Sequence, residues 1–291
     1  MADLMEDRPQ REAGLFRRRT PTQMVWRGLG YVVLTATALT MMAPFTWMLA
    51  TSLKPLAEVQ SGHLLPQHWK FGNYPEVIRT IPYGRYYFNS VFVALWVTFG
   101  QVLTSAAAAY AFARIRWRWR DRVFILYLAT LMVPGLVTLI PNYWVLTKLH
   151  LINTYTVLIL PACFSAYGTF LLRQFMLTIP QSLDEAAEMD GAGHWRIFWD
   201  VVMPLARPGL IVLAIFTFMG NYQSFFWPLI MVKDDYLRTL PIGLLYFDSS
   251  YGRETSLLMA ASVMAMIPLI ALFVVGQKFF VKGIQLGAVK G

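Results

Sequence analysis

Charge is scarce in this sequence. Of its 291 residues only 14% are Asp, Glu, Lys or Arg, against about 25% in an ordinary soluble chain. Apolar residues make up 57%, more than one water-soluble core can hide, and lipid is the natural solvent for the excess. Cysteine is nearly absent. The lone Cys163 excludes an internal disulfide framework and a cysteine-rich metal site. It sits in an apolar stretch and reads as a small buried or lipid-facing side chain. Histidine is sparse as well. His63, His68, His150 and His194 form no H-E-x-x-H and no cluster, so neither a metal site nor a membrane-embedded metalloenzyme is predicted. The phosphate-cradling G-x-x-x-x-G-K-[ST] is missing, so the chain is not predicted to hydrolyse ATP. No internal repeat and no low-complexity linker divides it.

Long charge-free runs, by contrast, are plentiful. Six of them cover 28–53, 86–113, 123–147, 151–172, 208–232 and 255–277. A helix needs about 20 apolar residues to cross about 30 Å of hydrocarbon, and its backbone groups must pair within the segment. The predicted fold is all-α, with six transmembrane helices in one domain over 26–281. The first run is too long for the apolar region of a cleaved signal peptide and is expected to stay as an anchor.

Orientation follows from Lys and Arg. Arg8, Arg11, Arg17, Arg18, Arg19 and Arg27 precede or open the first run, and R-I-R-W-R-W-R-D-R (114–122) joins the second to the third. Arg173, Arg196 and Arg207 follow the fourth, and Lys278, Lys282 and Lys290 close the chain. Seventeen of the 25 Lys and Arg thus share one side. That side is predicted to be the cytoplasm, with both termini in it. The net charge of +9 is then topogenic, and no nucleic-acid partner is expected. The arginine run 114–122 either fixes topology or meets anionic lipid headgroups. Residues 1–25, with four acids among the arginines, read as a disordered cytoplasmic segment.

The connection 54–85 carries Pro55, Pro66, Pro75, Pro82, Gly62, Gly72 and Gly84. It is expected to be an irregular extracytoplasmic loop with one short interfacial helix. Pro44, Pro134, Pro141, Pro161, Pro228 and Pro268 fall inside the six runs. Each is either an ordinary kink or a break lining a transport path. The third run, with Pro134-Gly135 and Pro141, is expected to be the least straight.

The connection 180–209 says the most. Ser182 and Glu185 make an S-x-x-E capping box that should start a short helix at about Leu183. Gly191 suits the left-handed position that ends it, and Gly193 permits a second turn. A second helix is predicted from His194 to Met203, stopped by Pro204. On it Trp195, Phe198, Trp199 and Val202 fall at i, i+3, i+4 and i+7 as one apolar stripe. The product is a cytoplasmic two-helix elbow between membrane helices four and five. Ala186, Ala187 and Met189 lie near its tip, where small residues admit the close approach of another protein. Asp190 is either a partner of Arg196 or a solvated charge.

Glu185-Ala186-Ala187, then Gly191, then Val201, Met203 and Pro204 follow the spacing E-A-A-x3-G-x9-I-x-L-P, with Val for Ile and Met for Leu. This resembles the signature of permease subunits of bacterial ATP-binding-cassette importers. S-A-A-A-A-Y-A-F-A-R (105–114), L-M-V-P-G-L-V-T-L-I-P (131–141), L-I-N-T-Y (151–155), W-P-L-I (227–230) and the ending F-V-K-G-I-Q-L-G-A-V-K-G (280–291) extend the resemblance over nearly the whole chain. They are similar to the carbohydrate-importing branch, nearest the second permease of maltose-type and glycerol-3-phosphate-type systems.

The resemblance implies a bacterial inner-membrane location and several partners. These are an ATPase dimer that binds ATP and magnesium, a second homologous permease, an extracytoplasmic solute-binding protein and membrane lipid. No cofactor is implied for this chain. Glu185, Ala186, Ala187, Asp190, Gly191 and Pro204 would form the ATPase contact, although Glu185 equally suits a plain capping role.

Asn221, Tyr222, Gln223 and Trp227 lie mid-membrane, where polar groups usually face a bundle interior. Many carbohydrate permeases read W-N-x-F-x-W-P here. This chain has Tyr222 for Trp and Gln223 for Asn. These residues either line the solute path or bond to the sister permease. The tail 282–291, with Lys282, Gln285 and Lys290, either reaches between the ATPase subunits, as in maltose-type importers, or is a frayed end. The same architecture serves glycerol 3-phosphate, phosphodiester and other non-sugar solutes. An anionic solute would want Lys or Arg in the path, and none lies inside the six runs. A non-transporting assembly factor would leave the elbow without a purpose.

Overall fold

The computed structural model describes residues 21–248 and 254–288, and the side chains of 26–248 and 254–277. All regular structure among the described residues is helical. In chain order the main helices are α1 (Pro21–Ser52), α2 (Asn73–Thr80), α3 (Tyr83–Ala113), α4 (Arg120–Ala129), α5 (Gly135–Lys148) and α6 (Tyr155–Leu177). Next come α7 (Ser182–Met189), α8 (His194–Leu205), α9 (Arg207–Tyr222), α10 (Phe226–Met231) and α11 (Thr255–Ala288). Helices α1, α3, α6 and α11 contain stretches long and apolar enough to cross a membrane. Two bent pairs add candidates: α4 with α5 at 97°, and α8 with α9 at 77°.

The third run breaks where Pro134-Gly135 predicts. Pro134 leaves the helical region (φ −60°, ψ 129°) and α5 starts afresh after it. Pro44, Pro141 and Pro268, in contrast, lie inside continuous helices. The fifth run, 208–232, is not one helix. It stops at Tyr222 and resumes at Phe226. Pro228, which has no N–H to offer the carbonyl four residues back, falls in the first turn of α10, where that missing donor costs least. Helix α6 runs on to Leu177, which places Arg173 inside it. At the chain ends, α1 already begins at Pro21, and residues 1–20 of the predicted N-terminal segment lie outside the described residues.

Helix α3 is the hub, packing against both α6 and α9. Lipid is as apolar as leucine, so close packing rather than burial holds membrane helices together. The run Ser105–Ala109 supplies the small side chains that close packing needs. Opposite it, a Cβ added to Gly168 of α6 would lie 2.6 Å from Ser105 Oγ. Besides a core around Val93, Val97, Val157 and Met231, two more form toward opposite ends of α3. One gathers Val77, Tyr83, Tyr86, Phe218, Tyr222, Leu240 and Ala261. The other gathers Ala106, Tyr110, Leu172, Met176, Ile197, Phe198, Val202 and Leu213.

The connection 54–85 carries two short helices, Leu56–Val59 and α2, where one was expected. It is anchored rather than loose. The buried Asn73 amide donates to Ser52 O (2.8 Å) and Lys54 O (2.9 Å), taking up carbonyls at the end of α1. Beyond α10, Asn153 adopts a left-handed φ of 61°, and its Oδ1 accepts the N–H groups of Lys233 (3.0 Å) and Asp234 (2.8 Å). This pins the start of the connection to α11.

Candidate functional site

Helices α7 and α8 form the predicted elbow. Gly191 has φ +81° and donates to Glu188 O (2.9 Å), while Ala192 N–H donates to Ala187 O (2.9 Å). Those paired bonds are a Schellman motif, and they occupy carbonyls that the end of α7 would otherwise leave free. The start of α7 differs from expectation. Its N-cap is Gln181, itself at helical angles (φ −68°, ψ −24°), and no side chain caps it. Gln181 O accepts the N–H groups of Asp184 (2.9 Å) and Glu185 (3.1 Å). The Ser182–Glu185 capping box is therefore not formed, because Ser182 already sits within the first turn. Glu185 is exposed.

Helix α8 also departs from expectation. It runs to Leu205, past Pro204, and its residues Ile197–Val202 are π-helical. A π stretch turns more slowly than an α-helix and shifts the phase of its faces. The predicted stripe splits accordingly. Phe198 and Val202 are buried together with Ile197, while Trp195 and Trp199 are exposed. Arg196 pairs with Asp200 at 3.5 Å, not with Asp190, which is exposed at the end of α7. Ala186 is open, and Ala187 packs against the core beneath. The elbow thus presents Met189 (88% exposed) and Trp195 (74% exposed) outward.

One residue that fixes the elbow was read as a topology charge and as the end of the S-A-A-A-A-Y-A-F-A-R motif, not as an anchor. Arg114 caps α3, and its side chain is 3% exposed. It donates to Met176 O (2.8 Å) and Ile179 O (3.0 Å) at the end of α6, and it faces Asp184 Oδ2 of α7 at 3.3 Å. Burial raises the Asp184 carboxyl above its ordinary value, and the Arg114 charge opposes that rise without cancelling it. The available signal was position: an arginine directly behind the small-residue run of α3.

A second site lies at the helix breaks, including one inside α6 where Phe164 (ψ 121°) and Ser165 (ψ 117°) leave the helical region. A cavity of about 520 Å³ is bounded by Val93 of α3, Gly135, Thr138 and Asn142 of α5, and Pro161 and Phe164 of α6. Asn221, Ser224, Trp227 and Thr239 complete it. No charged residue lines it. Of the predicted path residues, Asn221 and Trp227 line this cavity. Tyr222 does not. It is buried and its hydroxyl donates to Ala265 O (2.9 Å), toward α11. Gln223 is exposed in the break and also does not line the cavity. The Trp227 indole N–H is taken by Val157 O (2.9 Å), so its ring offers surface only. Ser224, a mid-membrane polar residue of the same run, lines the cavity as well, while sequence reasoning missed Thr138, Asn142 and Thr239. Thr239 Oγ1 is buried and has no partner in the protein.

Lys282 and Gln285 fall on the backbone of α11, which continues to Ala288 where a tail was expected. Lys290 lies outside the described residues.

Comparison with known proteins agrees with this architecture. Residues 101–286 match the family described as binding-protein-dependent transport system inner membrane component. The arabinooligosaccharides transport system permease protein AraQ of Bacillus subtilis is 32% identical over 279 residues, spanning 94% of this chain and 99% of that protein. The sn-glycerol-3-phosphate transport system permease protein UgpE of Yersinia enterocolitica is 38% identical over 205 residues, 70% of this chain and 73% of that one. A solved bacterial ABC transporter involved in import of the acidic polysaccharide alginate contains a chain of the same fold. It superposes with a TM-score of 0.82 at 23% identity, covering 90% of this chain and 99% of that one. This chain is an integral membrane protein and belongs to the inner membrane components of binding-protein-dependent transport systems.

Proposed function

We propose that this chain is one of two permeases enclosing the path of an ATP-driven importer for a sugar or related polyol. Six crossings follow when α4–α5 is one span and α9–α10 another, with α8 lying along the cytoplasmic boundary. The arginine asymmetry supports both termini in the cytoplasm of a bacterial cell, with the protein in its inner membrane. The elbow would then present Glu185, Ala186, Ala187, Asp190, Gly191 and Pro204 to an ATPase subunit. That partner binds ATP and magnesium; this chain is a transport component, not an enzyme. The exposed Met189 and Trp195 support a protein contact there. A second homologous permease and an extracytoplasmic solute-binding protein complete the assembly.

The solute class rests on one observation. The cavity at the helix breaks combines amides, hydroxyls and aromatic surface with apolar walls from Val93, Leu158, Pro161, Ala162 and Pro228, and no charged side chain lines it. Thr239 Oγ1 lacks a partner there, and a buried hydroxyl without a hydrogen bond is costly. The oxygen is closed off in this conformation, and a sugar hydroxyl would complete it once a small side-chain shift opened it to the cavity. The arabinooligosaccharide relative points the same way. Glycerol 3-phosphate is the second reading, supported by the Yersinia relative and opposed by the uncharged lining.

Uptake by the assembled transporter separates the two. Labelled arabinooligosaccharide should be imported and sn-glycerol 3-phosphate should not. Asn221→Ala and Thr239→Val should each raise the apparent KM about two- to tenfold, the worth of one hydrogen bond. Unchanged uptake in both variants would remove this cavity from the path.

A further inference from the structure

Beyond Arg114, the arginine run between α3 and α4 is absorbed by neither the elbow nor the cavity at the helix breaks. It surrounds a second cavity of about 530 Å³, lined by Arg116, Arg118, Arg120, Arg122, Asp121 and Gln181, with Trp117 at its edge. Four guanidinium groups and one carboxylate converge there. That carboxylate is already engaged, since Asp121 pairs with Arg120 at 3.2 Å and with Arg173 of α6 at 3.4 Å. Arg116 makes only a long contact, 3.4 Å, to Gln181 Oε1. Arg118 and Arg122 lie against the Trp119 ring, 5.4 and 4.8 Å from its centre. Among the described residues no carboxylate meets Arg116, Arg118 or Arg122. Like charges gathered around one cavity call for a bound anion.

The surroundings name the anion. Trp117 and Trp119 are exposed beside the arginines, and amphipathic rings of this kind settle at headgroup level. One turn further along α4, Ile125 and Leu126 are exposed as well. A basic cavity therefore continues into an open apolar face, which suits a phosphate carrying acyl chains better than a free phosphate. We infer that Arg116, Arg118 and Arg122, with Gln181, form a headgroup site for one anionic phospholipid at the base of the elbow. The site adjoins the elbow through Gln181, whose carbonyl accepts the first N–H groups of α7. An occupied site would brace the start of α7 against the α3–α4 connection. This goes beyond the transport reading and needs only that α3 and α4 meet the bilayer.

The test uses the full chain with its co-purifying partners, in nanodiscs of phosphatidylcholine carrying increasing phosphatidylglycerol. Retained lipid is counted by native mass spectrometry. Wild type should hold phosphatidylglycerol in preference to phosphatidylcholine. Arg118→Gln with Arg122→Gln should weaken that retention about 25-fold, at about fivefold per arginine. Arg118→Lys with Arg122→Lys, which keeps the charge, should retain the preference. Wild type with no lipid preference would overturn the site without recourse to any variant. So would equal retention by the Gln variant, displacement of the lipid by millimolar inorganic phosphate, or loss of a protein subunit in place of lipid.

Discussion

The Arg114 guanidinium meets two helix-end carbonyls and one carboxylate, and these come from different elements. Its two partners are not equivalent. Removing the arginine strands a half-buried Asp184 and frees the carbonyls of Met176 and Ile179. Removing the acid leaves the arginine still bonded to both carbonyls. Arg114→Ala should therefore cost about 3–5 kcal/mol, and Asp184→Asn about 1 kcal/mol, as read by thermal unfolding in detergent. The raised Asp184 carboxyl fixes the sign of a pH effect. The folded state holds that proton more tightly than the unfolded state. This contribution is thus present below the ordinary carboxylate pKa and lost as pH rises through the folded value. Asp184→Asn should abolish that slope. Single residues were unevenly legible in the sequence. Gly191 could be read because a left-handed helix end has a chemical signature. Tyr222 could not, because adjacent helix residues point about 100° apart and only packing tells which one faces α11. Asn221 meets the cavity; its neighbour does not.

At the scale of elements, charge-free runs report length but not continuity. The break at Pro134-Gly135 was legible because proline and glycine both oppose helix there. The break at Gln223–Phe225 was not, because the nearest following proline, Pro228, sits six residues beyond the last residue of α9. The π stretch in α8 has no sequence signature, so the stripe of Trp195 and Trp199 turned outward unannounced. The elbow itself was legible in outline, since its spacing and glycines are local. Its attachment through Arg114 joins residues about 70 apart in sequence and was not. Within the elbow, the Schellman geometry depends on Gly191. Gly191→Ala should strain the turn by about 1 kcal/mol and re-aim α7 relative to α8. In reconstituted transporter, solute-stimulated ATP hydrolysis should persist while uptake per ATP falls. Uptake per ATP equal to wild type would show that the turn's geometry is not what couples.

For the whole molecule, two features set the work. The elbow and its exposed residues lie at one end of α3, and helix breaks enclose an uncharged cavity along its length. An energy source acting on the elbow could move α3 and α6 together, because Arg114 and Arg173 tie the ends of both to the elbow and to the start of α4. Alternating exposure of the cavity would then be a rigid tilt of packed helices. On the proposed reading the energy for transport comes from another subunit, an ATPase recruited through the elbow. The most direct measurement is purification of the tagged chain from native membranes in mild detergent, with co-purifying proteins identified by mass spectrometry. It is then repeated for Glu185→Arg with Gly191→Val. Wild type should bring down an ATP-binding-cassette ATPase and a second permease, and the elbow variant should keep the permease and lose the ATPase. A chain that purified alone or only with copies of itself, or an elbow variant that kept its ATPase, would contradict the account.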